Sequence, residues 1–177
     1  MLKVRSGDLD KMTLLFQRYH RPLFGFLFHM TRHREASEDL LQNVFYRMLR
    51  SRHTFTGEGE FRTWMYCIAR NVVKDHQKKS RRDPDSYDAG DLAERISGSM
   101  QADEELERKL EIKAVRQALA GLSPESREVL ILSRFQDLRY EEIARVLEIS
   151  VGAVKVRIHR AINQLKQLYI QTEPEKK

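Results

Sequence analysis

Apolar side chains recur every three or four residues along the N-terminal part of the chain, the spacing of one face of a helix. The first such run extends from Leu9 to Met30, and Pro22 inside it predicts a kink or a division into two helices. A second run begins near Glu35 and repeats apolar pairs every four residues up to Leu49. The pattern therefore predicts two amphipathic segments, the second of which starts near Glu35.

A third predicted helix combines an apolar side with a basic side. It follows a glycine-containing turn at 56–60, and Phe61, Trp64 and Ile68 fall on its apolar side. The opposite side is basic and leads into a cluster of cations at 77–82. Such a face suits a nucleic-acid phosphate backbone. Because cations also favour the solvated C-terminus of any helix, charge alone leaves both interpretations open.

The last part of the chain predicts a helix-turn-helix. A helix over 106–122 is followed by Ser123–Pro124, which is typical of the start of another helix. A short helix with Ile143, Ala144 and Leu147 on its inner face, the tight connection at 148–150 and an apolar stripe from Val154 to Leu165 then fit two steeply crossing helices. Small residues at the start of the second helix allow it to approach a DNA groove, where Arg and Lys reach bases or phosphates. The alternative is a plain helical hairpin with a basic solvent face.

Composition favours an all-α fold made of two small helical domains. Only 8 Gly and 4 Pro in 177 residues leave too few turns for an all-β protein. Residues 1–82 hold 17 Lys+Arg against 8 Asp+Glu, residues 83–107 hold one Arg against nine acidic residues, and residues 108–177 hold 14 against 9. We therefore expect an N-terminal domain at 1–82, an acidic flexible linker at 83–105 and a C-terminal domain at 106–172.

Cysteine content and hydropathy exclude several classes of protein. Cys67 is the single cysteine, so neither an internal disulfide nor a Cys-x-x-Cys metal motif can form. No stretch approaches the roughly 18 apolar residues of a membrane helix, and the N-terminus lacks the apolar core of a signal peptide. Secreted, membrane-spanning and disulfide-stapled proteins are excluded, and a cytoplasmic location is expected.

Three segments taken together resemble the bacterial RNA polymerase sigma factors of the extracytoplasmic-function (ECF) group, which belongs to the sigma-70 family. DLLQNVFYRML at 39–49 is similar to the family's polymerase-binding helix, and FRTWMYCIARNVVKD at 61–75 is similar to its promoter-opening helix. The segment at 122–161, which ends in VGAVKVRIHRA, resembles its terminal helix-turn-helix. The segments occur in the family's order and spacing, so the resemblance covers nearly the whole chain apart from the linker.

This resemblance implies a non-enzymatic factor that binds core RNA polymerase and directs promoter-specific initiation, with no cofactor and no metal. The first domain reads and melts the −10 element, and the second reads the −35 element as duplex DNA. Many family members are also held by an anti-sigma factor, and whether this chain has one stays open. The implied site residues are Ser150, Gly152, Ala153, Lys155, Val156, Arg157, His159 and Arg160 for −35 DNA; Arg62, Arg70, Asn71, Lys74, Lys78 and Lys79 for −10 DNA; and Asp39, Gln42, Asn43, Phe45 and Arg47 for polymerase.

The resemblance also implies how single-stranded bases are held. The turn before Phe61 and the face around Asn71 are expected to form a pocket for an unstacked base. Trp64 and Tyr66 are candidates for stacking on bases, although apolar spacing favours a core position for Trp64. The acidic linker is expected to be a solvated spacer, to thread a polymerase channel, or to fold back on the basic faces of the free protein.

Three positions depart from the usual family pattern. Glu148 stands where the helix-turn-helix often has glycine, which predicts a slightly different backbone conformation in the turn. Arg139 replaces a serine that usually caps the first of the two helices, and Asp137 is expected to cap it instead. Asn43 stands where an acidic residue is common, which predicts one softer contact with polymerase.

Two other functions compete with this interpretation. A one-component helix-turn-helix regulator binds duplex DNA without polymerase, but it has no need of the segments at 39–49 and 61–75. A metal-dependent enzyme would use His29 and His33, which lie four residues apart, with His20 or Glu35 as a further ligand. Because no glutamate lies between the two histidines, surface histidines are the favoured interpretation.

Overall fold

The structure is a computed structural model that describes residues 1–82 and 102–172. All regular secondary structure within these residues is helical, which confirms the predicted all-α fold. The helices in chain order are α1 (Leu2–Arg5), α2 (Lys11–Thr31), α3 (Arg34–Arg50), a 3-10 turn (Arg52–Thr54), α4 (Phe61–Ser80), α5 (Ala102–Gly121), α6 (Pro124–Leu130) with a following π-helical turn (Ile131–Phe135), α7 (Tyr140–Leu147) and α8 (Val151–Thr172).

The N-terminal half packs α2, α3 and α4 around a common apolar core. Leu23 and Phe26 of α2 are fully buried in one cluster with Val44 of α3 and Met65 of α4. Pro22 does not divide α2, which runs without interruption from Lys11 to Thr31. The buried side chains just beyond Pro22 anchor this part of the helix, and their burial offsets the missing backbone hydrogen bond.

Capping residues set the helix starts in the C-terminal half. The Ser123 hydroxyl accepts a hydrogen bond from the backbone N–H of Ser126 at 3.2 Å, so the predicted cap of α6 is confirmed. At α7 the N-cap position is Arg139, whose backbone N–H donates to the Glu142 carboxylate at 2.8 Å. The expectation that Asp137 replaces this cap is wrong. Asp137 instead takes a left-handed turn conformation with φ of 48°.

The turn between α7 and α8 keeps the backbone that glycine would give it. Glu148 has φ of 58° and ψ of 44°, in the left-handed region that glycine adopts at the lowest cost. The expectation of a different backbone at Glu148 is therefore wrong. Ser150 caps α8 as predicted, because its hydroxyl accepts a hydrogen bond from the backbone N–H of Ala153 at 3.1 Å.

The two halves are in direct contact. Helix α4 packs on α7, and α2 packs on α6 and on the π-helical turn after it. Buried side chains of both halves belong to one apolar cluster. Helix α5 begins at Ala102, inside the segment predicted as linker, and residues 83–101 lie outside the described residues together with the expectations made for them.

Candidate nucleic-acid and polymerase interfaces

The second helix of the helix-turn-helix presents a free basic face. Its buried side is formed by Val154, Ile158 and Ala161, which are at most 4% exposed. We call the opposite side, together with the turn residue before it, the α8 face. Most of its members are exposed and two are half-buried: Ser150, Gly152, Lys155, Val156, His159 and Arg160 are exposed, and Ala153 and Arg157 are half-buried.

The cations of the α8 face have no polar partner elsewhere in the described residues. Lys155, Arg157 and Arg160 have no hydrogen bond or ion pair to the described part of the chain. His159 approaches only Asn163 of its own helix, with 3.5 Å between the ring and amide nitrogens. These donors are available for base edges or phosphates.

The predicted −10 residues of α4, which we call the α4 face, divide into a covered part and an open part. Arg70 pairs with Glu128 of α6 at 3.1 Å, and both side chains are only 11% exposed. It also donates to the backbone carbonyl of Val146 at 3.1 Å. Arg62 donates to the backbone carbonyl of Gln136. Both arginines therefore have partners in the C-terminal half.

The open part of the α4 face lies further along the same helix. Asn71, Lys74, Lys78 and Lys79 are all exposed. The structure thus keeps four of the six predicted −10 residues accessible, while the two arginines nearest the start of the helix are engaged by α6, α7 and the turn between them.

Buried polar contacts continue this interface between the halves. The Tyr66 hydroxyl donates to the side-chain carbonyl of Gln136, and both residues are buried. The Thr63 hydroxyl donates to the Glu142 carboxylate at 3.2 Å. We call these contacts between the two halves the interdomain latch. It consists of Glu128, Gln136 and Glu142 with their α4 partners Arg62, Thr63, Tyr66 and Arg70. Such hydrogen bonds fix one relative position of the halves, because each buried polar group would otherwise be left unsatisfied.

Burial at the latch changes the pKa of its ionisable groups. Desolvation raises the pKa of Glu128 above the ordinary glutamate value, with the Arg70 charge acting in the opposite direction. Desolvation also raises the pKa of Tyr66 well above its ordinary value, so its hydroxyl keeps its proton and stays a donor to Gln136. Cys67 is half-buried beside Arg70, and burial raises the pKa of its thiol, which argues against a reactive thiolate.

The aromatic candidates for base stacking are engaged in packing. Trp64 is half-buried between Phe55 and Phe61, with ring centroids 5.5 Å and 6.0 Å away. Its indole N–H donates to the Thr54 hydroxyl at 3.0 Å. Tyr66 is 1% exposed and faces the latch, so its ring is not available to a base in this arrangement.

The turn before Phe61, the expected base pocket, lies beside α7. The guanidinium of Arg139 approaches the Glu60 carboxylate at 3.4 Å, and Arg145 lines the same cleft as Gly59. Both ion-pair partners are largely exposed, so the contact contributes little to stability. Its position nevertheless puts α7 next to both parts of the predicted strand-binding surface, the turn and the α4 face.

The predicted polymerase residues lie on α3 and differ in exposure. Asp39 and Gln42 are exposed, and Asn43 accepts a hydrogen bond from Arg47 at 3.0 Å. Arg47 also pairs with Asp75 of α4 at 2.7 Å.

Phe45, the fifth predicted polymerase residue, is 9% exposed and packs 5.0 Å from the Phe16 ring. Its side chain therefore supports α3 from inside. Tyr46, which the sequence argument did not select, is 61% exposed on the same helix.

The histidines considered as metal ligands have other contacts. His33 Nδ1 accepts a hydrogen bond from the backbone N–H of Ala36 at 3.1 Å and caps α3. The His29 ring lies 4.8 Å from that of Phe135. The described residues contain no group of three or more His, Cys, Asp or Glu side chains placed to hold a metal ion. Across the same residues, no helix combines the length and apolarity needed to cross a membrane.

Sequence reasoning missed the acidic and amide residues of the latch. Glu128 precedes Ile131 and Leu132 by three and four residues, so it falls on the buried side of its helix. Glu142 likewise precedes the buried Val146 by four residues. A carboxylate on an otherwise apolar face is the signal that could have indicated a buried partner, since such charges are rarely buried unpaired.

Comparison with known proteins gives concordant matches over both halves. The family "Sigma-70 region 2" matches residues 15–83, and "Sigma-70, region 4" matches residues 112–165. RNA polymerase sigma-H factor of Pseudomonas aeruginosa is 34% identical over 166 residues, with 90% of this chain and 86% of that protein covered. ECF RNA polymerase sigma factor SigX of Bacillus subtilis is 31% identical over 167 residues, with 89% and 83% covered.

A solved structure has the same fold. It is the sigma factor RpoE in complex with the anti-sigma factor NepR, from Bartonella quintana. The TM-score is 0.72 at 23% identity, and the match covers 88% of this chain and 94% of that one.

Proposed function

We propose that the two basic faces bind different promoter elements, the α4 face the −10 element and the α8 face the −35 element. The chain belongs to the ECF group of the sigma-70 family, and as an RNA polymerase sigma factor it directs promoter-specific transcription initiation. Core RNA polymerase and promoter DNA are its partners. Residues 1–82 serve as the polymerase-binding and −10 domain, and residues 106–172 serve as the −35 domain. The observation that carries this proposal is the uncovered basic face of α8, which directly follows a tight, capped turn.

The α8 face reads the −35 element in the major groove. Gly152 and Ala153 at the start of the helix allow its backbone to approach the DNA closely. Arg157 takes the base-reading role, and Lys155 takes a phosphate. A plain helical hairpin would not require a basic side that has no partner in the described residues.

The α4 face takes the −10 element after the two halves separate. Asn71 and Lys74 are exposed in the closed arrangement, whereas Arg62 and Arg70 are engaged by the C-terminal half. A melted promoter strand can therefore contact all six residues of the α4 face only when the interdomain latch opens. Binding to polymerase is the step that supplies this opening, since the −10 and −35 elements must be held apart on the DNA.

Helix α3 forms the contact with core polymerase. Asp39, Gln42 and Tyr46 supply its exposed side chains, and Phe45 supports the helix from the core. Replacing Gln42 and Arg47 together by alanine is expected to weaken co-purification with core polymerase while leaving helicity unchanged. Arg50→Ala, on the same helix, is the matched control.

The remaining assignments follow from this role. Polymerase and promoter DNA are in the cytoplasm, so we infer a cytoplasmic location. The chain contributes binding and positioning, and it has no catalytic activity of its own. The match to a sigma factor bound to an anti-sigma factor supports the proposal that an inhibitor of that kind also binds this chain.

Run-off transcription with core polymerase and a randomised promoter pool tests the division of work. Arg157→Ala is expected to relax selection at one upstream position, and Asn71→Ala is expected to weaken melting downstream without changing upstream selection. Lys166→Ala is the control, because Lys166 is exposed on α8 outside the proposed face. Equal loss in all three variants, or no dependence of transcription on the chain, would overturn the proposal.

A further inference from the structure

The short helix α1 is fixed to the N-terminal half. It packs on α2 and on the 3-10 turn that follows α3, and Val4 at its centre is fully buried. The chain then reverses at Gly7, which has φ of 109° and donates its N–H to the Val4 carbonyl at 3.2 Å. The N–H of Asp8 donates to the Lys3 carbonyl at 2.9 Å. Helix α1 therefore has one defined position on the surface of this half.

Two side chains of α1 reach the segment that precedes α4. The guanidinium of Arg5 donates to the backbone carbonyls of Phe55 and Thr56, at 3.1 Å and 3.4 Å. These carbonyls lie 50 and 51 residues further along the chain, so the contact is not the local pairing of a cation with its own helix end. Leu2 covers Gly57, where an added Cβ atom would approach the leucine side chain to 3.0 Å. We call Leu2 and Arg5 the α1 brace.

The turn at 56–60 has little support of its own. All of its residues are exposed, and Gly57 has φ of 89°, which leaves few side chains that could replace it. In the described residues its other polar contact from outside comes from α7, where Arg139 approaches the Glu60 carboxylate and Arg145 lines the same cleft. These contacts to α7 are lost when the two halves separate. The α1 brace then remains as the support from the turn's own half.

The brace also orients hydrogen-bond donors of the turn. A trans peptide group is planar, so its carbonyl and its N–H point in opposite directions. Because the carbonyls of Phe55 and Thr56 point to Arg5, the N–H groups of Thr56 and Gly57 point away from α1. Neither N–H has a hydrogen-bond partner within residues 1–82 and 102–172. Two neighbouring backbone donors are thus free for a ligand that reaches the turn.

We propose that the α1 brace positions the turn at 56–60 for an unstacked −10 base, and that Arg5 is a positioning residue for base selection. The proposal rests on the function proposed above, which assigns −10 DNA to the N-terminal half. An unstacked base is recognised by hydrogen bonds to its edge. A turn held in one conformation favours the base whose acceptors match its donors, whereas a mobile turn adapts to several bases. Arg5 acts through the turn and does not itself contact the base.

Run-off transcription with core polymerase, from a promoter pool randomised in the −10 element, measures this selection. In Arg5→Ala the preference for the favoured base at one melted position should fall roughly three- to tenfold, the contribution of about one hydrogen bond. Leu2→Ala should reduce the same preference by a smaller factor. Selection in the −35 element should not change in either variant. The matched control is Lys3→Ala, which removes an equal charge from an exposed position of α1 and should select as the wild type does.

A second measurement tests the brace without DNA. The backbone heteronuclear NOE of the Thr56 and Gly57 amides in the free full-length chain reports their motion on the picosecond-to-nanosecond timescale. It should fall in Arg5→Ala and stay at the wild-type value in Lys3→Ala. Unchanged values in Arg5→Ala would overturn the brace. A different result would also overturn it: if Arg5→Ala weakens all promoters alike and reduces the salt slope by about one, Arg5 is a phosphate contact.

Gly57→Ala separates failure of the brace from failure of the proposed function. Alanine is strained at a φ of 89°, and its Cβ crowds Leu2, so this change distorts the turn while Arg5 is present. Selection that relaxes in Gly57→Ala and is unchanged in Arg5→Ala would overturn the brace alone. Selection that is unchanged in both variants, although the turn becomes mobile in Arg5→Ala, would overturn the assignment of a −10 base to this turn. Loss of the same preference in both variants is the result that the proposal predicts.

Discussion

The two predicted DNA faces of this sigma factor look alike in sequence and differ in accessibility. The cations of the α8 face are exposed or half-buried, and they have no hydrogen-bond or ion-pair partner elsewhere in the described residues. In the α4 face, Arg62 and Arg70 bind to α6, α7 and the turn between them, whereas four polar or basic residues are exposed. Both are one-sided basic helices, so charge and periodicity alone do not separate them.

The difference lies in what packs against each helix. Helix α8 turns its apolar side to its own domain and leaves its basic side free. Helix α4 packs on α7 as well as on α2 and α3, so part of its basic side becomes an interface between the halves. The free protein in this arrangement leaves the proposed −35 face open and withholds Arg62 and Arg70 of the proposed −10 face.

The largest expected effect comes from removing the buried carboxylate of the latch. Glu128→Ala leaves Arg70 buried without its main partner. We expect this to destabilise the closed form by about 3 kcal/mol, the low end for a broken buried ion pair. The cost is at the low end because the Val146 carbonyl still accepts a hydrogen bond from Arg70. The closed form should lose roughly 100-fold in population relative to the open form. Binding of single-stranded −10 DNA to the free protein should rise, and −35 duplex binding should not change. The control is Glu125→Ala, an exposed glutamate of the same helix; a gain there of similar size would contradict this account.

On the open face, Arg157→Ala should cost about 1–3 kcal/mol and relax selection at one −35 base pair. Lys155→Ala should weaken all sequences alike and reduce the salt slope by about one. Both effects should add to that of Glu128→Ala, because the sites share no partner in the structure. Footprints of the upstream element measure them. Unchanged protection in both variants would place the recognition face elsewhere.

A smaller opening is expected from Tyr66→Phe. The change deletes the hydroxyl that donates to Gln136 and leaves a buried amide without that partner, at a cost of about 1–2 kcal/mol. The open form of the free protein should become more populated, as in Glu128→Ala, but by a smaller factor. Fluorescence energy transfer between labels on the two halves measures this change. Tyr46→Phe, on an exposed ring, is the matched control. If both changes act equally, Tyr66 is not part of the latch.

Glu148→Gly separates turn strain from interdomain contact. Glycine removes about 1 kcal/mol of left-handed strain, while the pair between Glu148 and Arg70 at 3.6 Å is worth little, since Glu148 is 78% exposed. The melting temperature should rise by about 2–4 °C. Glu148→Ala loses the same pair without relieving the backbone, so it should not raise the melting temperature. A rise in both variants would show that the turn is not strained.

The smallest expected effect is a pH dependence of closure. Burial raises the pKa of Glu128 in the closed form, so that form holds the proton more tightly than the open form does. The closed form should therefore be most stable at low pH. Its stability should fall as the pH rises from the ordinary glutamate pKa through the raised pKa of Glu128, and it should be constant above that. The interdomain distance measured against pH should show this trend, and Glu128→Gln should flatten it. Closure that tightens with rising pH would contradict the sign.

The sequence predicted the helices but not the contacts between the two halves. Apolar spacing predicted the helices, and Ser123 and Ser150 marked the starts of α6 and α8, because these signals are local. The burial of Arg62, Arg70 and Tyr66 depends on residues some sixty to eighty positions away, so no local pattern reports it.

The turn at Glu148 and the cap at Arg139 were misjudged for a related reason. The fold holds Glu148 in a left-handed conformation that glutamate alone does not favour, and at Arg139 the cap comes from the Glu142 carboxylate one turn into the helix rather than from Asp137. Phe45 was assigned to polymerase by resemblance, but the packing of Phe16 against it directs its ring inward.

The central claim, that the free protein withholds its −10 face through the closed arrangement, is tested most directly by electron–electron distance measurement. Nitroxide labels at His53→Cys and Lys166→Cys, in a Cys67→Ser background, report on the two halves from exposed positions. The free protein should give one narrow distance distribution, and addition of core polymerase should replace it with a different, longer one. A broad distribution in the free protein, or the same distance in the polymerase complex, would contradict the claim.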